Sequence, residues 1–105
     1  MAATENSGEI FRAKINLETS KIAWKELQRF FAGGTALMVS ADLDLVEAAF
    51  QMSEDNVGQI RQWAEAGKLA RVSDKQAREW VEADALVWAV VASPWVLVQP
   101  VGRLH

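Results

Sequence analysis

Apolar residues recur along this chain with two different spacings, and the changes of spacing divide it into elements. From Glu9 the spacing is helical: Ile10, Ala13 and Leu17 share one side, with Phe11 and Ile15 beside them. Trp24, Leu27, Phe30 and Phe31 define a second helix, from about Trp24 to Ala32, which Gly33 and Gly34 end. Thr35 to Ser40 is short and apolar, with Leu37 and Val39 on one side and Ala36 and Met38 on the other, and predicts a buried strand. Asp42 or Asp44 caps a third helix that runs to about Met52 on Leu45, Val46, Ala49 and Phe50. Ser53 is placed to cap a fourth, from Glu54 to Ala66, lined by Val57, Ile60 and Trp63 or Ala64 and closed by Gly67. Leu69 to Val72 fits one short strand. Ser73 with Gln76 makes a capping box for a fifth helix, whose Ala77, Trp80 and Val81 face inward.

Near the C-terminus the rhythm changes. Ala85 to Ala92 and Trp95 to Val101 are rich in Val and almost free of polar residues, and Ser93-Pro94 between them predicts a tight turn. A strand apolar on both faces belongs in the middle of a structure, covered on each side. The Ala85 to Ala92 strand is therefore expected to be central, with the Thr35 to Ser40 or the Trp95 to Val101 strand on either side of it and helices over at least one face. The expected fold class is α+β: about five helices around a small, mainly antiparallel sheet ending in a buried C-terminal hairpin, with a central helix pair like a helix-turn-helix. Residues 1–8 are small and polar and read as a disordered tail, which leaves 9–101 as a single α+β domain.

Composition narrows the chemistry. There is no Cys, so disulfides and thiolate metal sites are excluded. His105 is the one histidine, at the last position, which argues against histidine acid–base or zinc chemistry. The longest apolar run, Ala85 to Ala92, falls far short of the roughly 20 residues of a membrane helix, and the first residues lack the basic-then-apolar layout of a signal peptide. A cytoplasmic protein without membrane contact is expected. The net charge of −3 is unevenly placed: residues 1–41 sum to +1, residues 42–84 to −5 and residues 85–105 to +1. The acidic middle opposes binding to a phosphate backbone, so nucleic acid is not an expected partner.

Four groups of residues are candidates for function. Asp42, Asp44 and Glu47 are the densest carboxylates; they suit either an acidic helix N-terminus or, alternatively, a magnesium-dependent enzyme. Gly33-Gly34-Thr35 follows a helix and precedes a strand, the wrong order for a phosphate loop. Lys21, Lys25 and Arg29 recur every four residues with Trp24 beside them, a positive stripe able to meet an acidic partner or simply a solvated face. The stretch around Ser53, Val57, Arg61-Gln62-Trp63 and Gly67-Lys68-Leu69 resembles the helix-turn-helix and short strand of excisionase and MerR-type DNA-binding domains. It departs from them at Glu54-Asp55, where a DNA reader would present residues that approach bases and phosphates.

Across most of the chain, Arg12-Ala13-Lys14-Ile15-Asn16, Trp24 to Phe31, Leu43-Asp44-Leu45-Val46-Glu47, Ala70-Arg71-Val72-Ser73-Asp74 and Trp95-Val96-Leu97-Val98-Gln99 resemble a bacterial family of small uncharacterised proteins, the domain of unknown function DUF2288. The resemblance spans about residues 9–99 and implies a stand-alone small bacterial protein, with no activity, cofactor or catalytic residue attached. The residues themselves favour a non-enzymatic interaction or regulatory module whose partner is an unknown protein or a second copy. Five Trp are many for a small core, and exposed aromatic residues anchor interfaces. Trp24 and Trp95, with Lys21, Lys25 and Arg29, are the expected contact residues. A degenerate DNA-binding regulator and the magnesium enzyme stand as alternatives.

Overall fold

The computed structural model describes residues 2–101. Helix α1 (Ala2–Glu18) leads into strand β1 (Ser20–Ala23), a 3-10 turn (Trp24–Leu27) and α2 (Gln28–Ala32). Strand β2 (Ala36–Val39), helices α3 (Leu45–Ser53) and α4 (Val57–Glu65), strand β3 (Leu69–Arg71) and α5 (Asp74–Glu82) follow, and the hairpin β4 (Leu86–Ala92) and β5 (Trp95–Pro100) completes the fold. The five strands form one open sheet in the order β1-β4-β5-β2-β3. Only β2 and β5 run parallel; the other pairings are antiparallel.

The α+β class, the mainly antiparallel sheet and the C-terminal hairpin agree with the sequence. So does the interior place of the Leu86–Ala92 strand beside the Trp95–Pro100 strand, but the middle strand and the second neighbour differ. β5 is the third strand, between β4 and β2, and β4 lies between β5 and β1. Ser20–Ala23 was not expected to be a strand at all; it becomes one by pairing with Leu86–Ala89. The single helix expected from Trp24 is a 3-10 turn followed by a short α-helix. α1 takes in residues 2–8, which composition assigns to a tail.

Helices cover both faces of the sheet. On one, Ile15 of α1 and Leu45, Ala48 and Ala49 of α3 pack on Leu37, Val39, Leu69, Val90, Ala92 and Leu97. On the other, Trp24, Leu27, Ala77 and Trp80 pack on Ala36, Val87, Ala89, Val96 and Val98. The alternation along β5 makes this two-sided core: Val96 and Val98 point one way and Leu97 the other, and all three are buried. On α1 the buried side is that of Ile15 with Phe11 packed beside it, while Ile10 and Leu17 lie exposed. Val81 of α5 is also exposed rather than inward.

The caps decide where the elements begin. Asp44, not Asp42, caps α3, accepting from the amides of Val46 and Glu47. Asn56, not Ser53, caps α4, accepting from Gln59 N. Ser53 instead closes α3, and Asp55 takes a left-handed φ of 57° in the turn between the two helices. Ser73 caps α5 as expected, accepting from Gln76 N.

Candidate functional site

The helix pair α3–α4 is tied down at both ends, and the ties determine the shape beside it. At the start of α4, the Asn56 side chain donates to Gln51 Oε1 at 2.7 Å while its own oxygen caps the helix. Gln51 Nε2 donates to Glu47 Oε2 at 2.7 Å. Arg12 of α1 grips the same carboxylate with two nitrogens, at 2.7 and 3.2 Å, and lays its guanidinium over the Phe50 ring. A polar chain thus runs from α1 through α3 to the first turn of α4. Bonding to Arg12, then to Gln51, holds the Glu47 carboxyl below its ordinary pKa, and bonding to Glu47 raises that of Arg12.

At the exit of α4, Gly67 adopts a φ of 77°, open to glycine without strain. Lys68 N then donates to Trp63 O, and Ser40 N to Lys68 O. The Lys68 ammonium bonds Asp42 at 2.6 Å, and Ser40 Oγ donates to the same carboxylate, so the Asp42 carboxyl lies below its ordinary pKa. Gln99 Nε2 donates to the carbonyls of Ser40 and Leu43, at 2.8 and 2.7 Å, and clamps the loop before α3 onto β5.

Held this way, α4 leaves an apolar groove of about 500 Å³ between its first turns and the sheet. Leu37, Leu69 and Trp95 are contributed by the sheet, Val57, Ile60 and Ala64 by α4, and Met52 by α3. Asp55 and Arg61 stand at the groove, and neither forms an ion pair among the described residues. Val57 is 55% exposed although it lines this apolar surface. The size suits one or two large apolar side chains or a small apolar molecule.

The residues singled out from the sequence are scattered by the fold. Trp95 lines the groove and is half-buried. Trp24 does not meet a surface: it is fully enclosed, 4.9 Å from Trp80 and 5.9 Å from Phe31 between ring centroids. Lys21, Lys25 and Arg29 do not form one helical stripe, because a strand, a 3-10 turn and a helix carry one each. Lys21 lies over Trp88, Lys25 pairs loosely with Asp84 at 3.9 Å, and Arg29 lies over Phe30. The three carboxylates do not converge either. Asp42 serves Lys68, Asp44 the α3 amides and Glu47 Arg12, and no cluster suited to a metal ion occurs among the described residues.

Glu54 and Asp55 sit in the turn rather than on the first turn of α4, which removes one objection to a DNA-reading helix. The exposed residues of α4, however, include one acid and one base, Glu65 and Arg61, and carry no net positive charge. The spacing of the groove residues Val57 and Ile60 predicts a helix face, and Met52 the end of the preceding helix, with no sign that the face stops short of the sheet. Gln99 carries its own signal as the lone polar residue of β5, a position where a side chain needs partners.

The profile of the family described as protein of unknown function (DUF2288) matches residues 10–100. The NMR solution structure of PA1075 from Pseudomonas aeruginosa is similar, with a TM-score of 0.79 and 40% sequence identity over 91% of this chain and 92% of that one. No curated protein matches the chain.

Proposed function

We propose that this chain, which belongs to the DUF2288 family of proteins of unknown function, is a non-enzymatic protein-interaction module whose contact surface is the groove between α4 and the sheet. The observation that carries the reading is an exposed apolar groove of about 500 Å³ lined in part by Trp95, with an acid and a base, Asp55 and Arg61, at it and outside any ion pair among the described residues. Water gains nothing from apolar walls of this kind, and covering them releases it. The charges define the partner. It is a protein segment that places one or two large apolar side chains in the groove between a basic group facing Asp55 and an acidic group facing Arg61. A partner of this kind is held by an aromatic anchor at the centre and oriented by charges at the edge.

The test is comparative capture followed by titration. Val57→Glu alters an exposed side chain at the groove and leaves the core in place; Leu86→Glu alters an equally exposed side chain outside it. A protein captured by the wild type and by Leu86→Glu, and lost with Val57→Glu, is the expected result. Titration of that purified protein should then weaken at least about tenfold for Trp95→Ala. Equal binding by all variants places the contact elsewhere and overturns the reading.

A further inference from the structure

Three neighbouring strands set one side chain each into a row. Lys21 of β1 lies opposite Trp88 of β4, and Trp88 lies opposite Gln99 of β5. Residues directly opposite across a sheet share a face. The apolar face beneath α1 and α3 ends at this row. Val90 and Leu97, the next pair on the same face, are buried, whereas Trp88 and Gln99 are half-buried and Lys21 is exposed. The end of α1 and the loop into α3 flank the row and leave a pocket of about 300 Å³. Asn16 and Thr19 line it from the first side, Leu43 and Asp44 from the second, and Trp88 and Gln99 from the sheet.

The polar groups here are held in place, and most of what they still offer is acceptors. Gln99 directs both amide hydrogens to the carbonyls of Ser40 and Leu43, which leaves Oε1 to accept. Asp44 Oδ1 accepts from the amides of Val46 and Glu47, at 2.9 and 3.2 Å. That fixes the carboxylate and leaves Oδ2 without a partner among the described residues. Thr19 Oγ1 donates to Ile15 O at 2.8 Å, so toward the pocket it can only accept. The exposed Asn16 amide adds a donor.

We infer that this pocket binds a neutral, ring-shaped, hydroxyl-rich molecule: a single sugar unit. The apolar C–H groups on one face of a sugar ring cover Trp88, and hydroxyls around the rim donate to Asp44, Gln99 and Thr19. Charge on the ligand is not selected. Lys21 Nζ lies 5.2 Å from the Trp88 ring centroid and Asp44 lines the pocket, so a cation or an anion gains at one and loses at the other. A planar base needs donors and acceptors in alternation, and three of the four polar groups here accept. The acceptors are fixed before the ligand arrives, which lowers the ordering cost of binding. The volume lies at the small end of ligand pockets, which suits one ring. The inference is independent of the groove beside α4, which borders the other end of α3.

The probes are the methyl glycosides of glucose, galactose and mannose, each titrated into nitrogen-15-labelled protein and followed by chemical shifts. At least one should give saturable shifts centred on Asn16, Asp44 and the Trp88 indole N–H. Asp44→Asn keeps an oxygen to cap α3 and replaces Oδ2 with a donor. It should melt as the wild type does and weaken binding about tenfold. Asn16→Ala, at an exposed position, should weaken it about threefold. Val81→Glu, on α5 over the opposite face of the sheet, should bind as the wild type does. Three results would overturn the inference: no saturable shift with any of the glycosides up to about 50 mM, tighter binding of tetramethylammonium or uracil at the same signals, or unchanged affinity in Asp44→Asn.

Discussion

The two faces of the sheet are closed by different means. On the face of α2 and α5, closure is aromatic: Trp24 is fully buried and meets Trp80 and Phe31 edge-on or tilted, arrangements that favour ring quadrupoles. Its one ion pair among the described residues, Lys25 with Asp84, is long and exposed. On the face of α1, α3 and α4 the fully buried core is Ile, Leu, Val and Ala, with the rings of Phe11, Phe50, Trp63, Trp88 and Trp95 only partly buried around it, and polar ties reach between distant segments: Arg12 to Glu47, Lys68 to Asp42, and Gln99 to the loop before α3. Large rings fill space by themselves and need no guide. Helices laid over a sheet whose buried centre is aliphatic can slide, and the polar ties set their register, including the standoff of α4 that leaves the groove. A core substitution should therefore act on either face, whereas loss of a polar tie should matter only where helices need guiding.

The largest effects test the cores. Val90→Asp puts an unpaired carboxylate at a site 3% exposed on the aliphatic face, and should cost more than ~4 kcal/mol in urea unfolding. Trp24→Ala on the opposite face opens a ring-sized cavity beside Trp80 and should cost about 3–5 kcal/mol. If Trp24→Ala costs under about 1 kcal/mol, the aromatic cluster is not what closes its face. Trp24 carries the one buried side-chain donor without a hydrogen-bond partner among the described residues, its Nε1. Trp24→Phe, which removes that N–H and keeps a ring, should therefore cost clearly less than Trp24→Ala.

How much of this was legible from the chain follows from how local each feature is. The hairpin stands out because both strands and the turn are contiguous, and the α5 cap because Ser73 and Gln76 are three residues apart. β1 is invisible locally: Ser20-Lys21-Ile22-Ala23 is too short for a pattern, and β4, far along the chain, makes it a strand. Ser53 has the right side chain to cap α4, but the left-handed Asp55 delays the helix and hands the cap to Asn56. Of the groove, Trp95 stands out as a contact residue and Val57, Arg61 and Leu69 only as parts of a helix-turn-helix resemblance. The walls other than Trp95 come from β2, β3, α3 and α4, and a gap between elements has no signature within any one of them. Trp24, beside three cations in sequence, looked like a surface residue; the change from strand to 3-10 turn at that point turns it inward.

Gln99→Ala comes next in size and addresses guidance directly. It removes two donors from carbonyls of Ser40 and Leu43 while leaving the apolar core of β5 in place. The expected cost is about 1–3 kcal/mol, the range for stranding partly buried acceptors. Hydrogen exchange should localise it, with faster exchange in α3 and unchanged exchange in α5. Uniform acceleration on both faces would mean that Gln99 supports the whole fold rather than the placement of one loop.

Glu47→Gln should have the smallest effect at neutral pH and the most specific one in acid. Arg12 holds the native Glu47 carboxyl below the ordinary value of 4.5, so folding is favoured by its ionisation. That contribution is fully present above the unfolded pKa, near 4.5, and is lost as pH falls from there through the lower native pKa. Glu47 and Arg12 side chains are 35% and 39% exposed, so solvent screening keeps the contribution small. Glutamine keeps the shape and a carbonyl for Arg12 but does not titrate. Unfolding free energy measured from neutral pH to pH 3 should therefore fall less steeply in Glu47→Gln than in wild type, the curves drawing together below the native pKa. Because Glu47 also receives Gln51, which receives Asn56 at the α4 cap, the same variant should shift the amides of Val57 and Ile60 at neutral pH. Shifts confined to α1 and Glu47 itself would show that the polar chain ends at α3 and that the groove keeps its shape by packing alone.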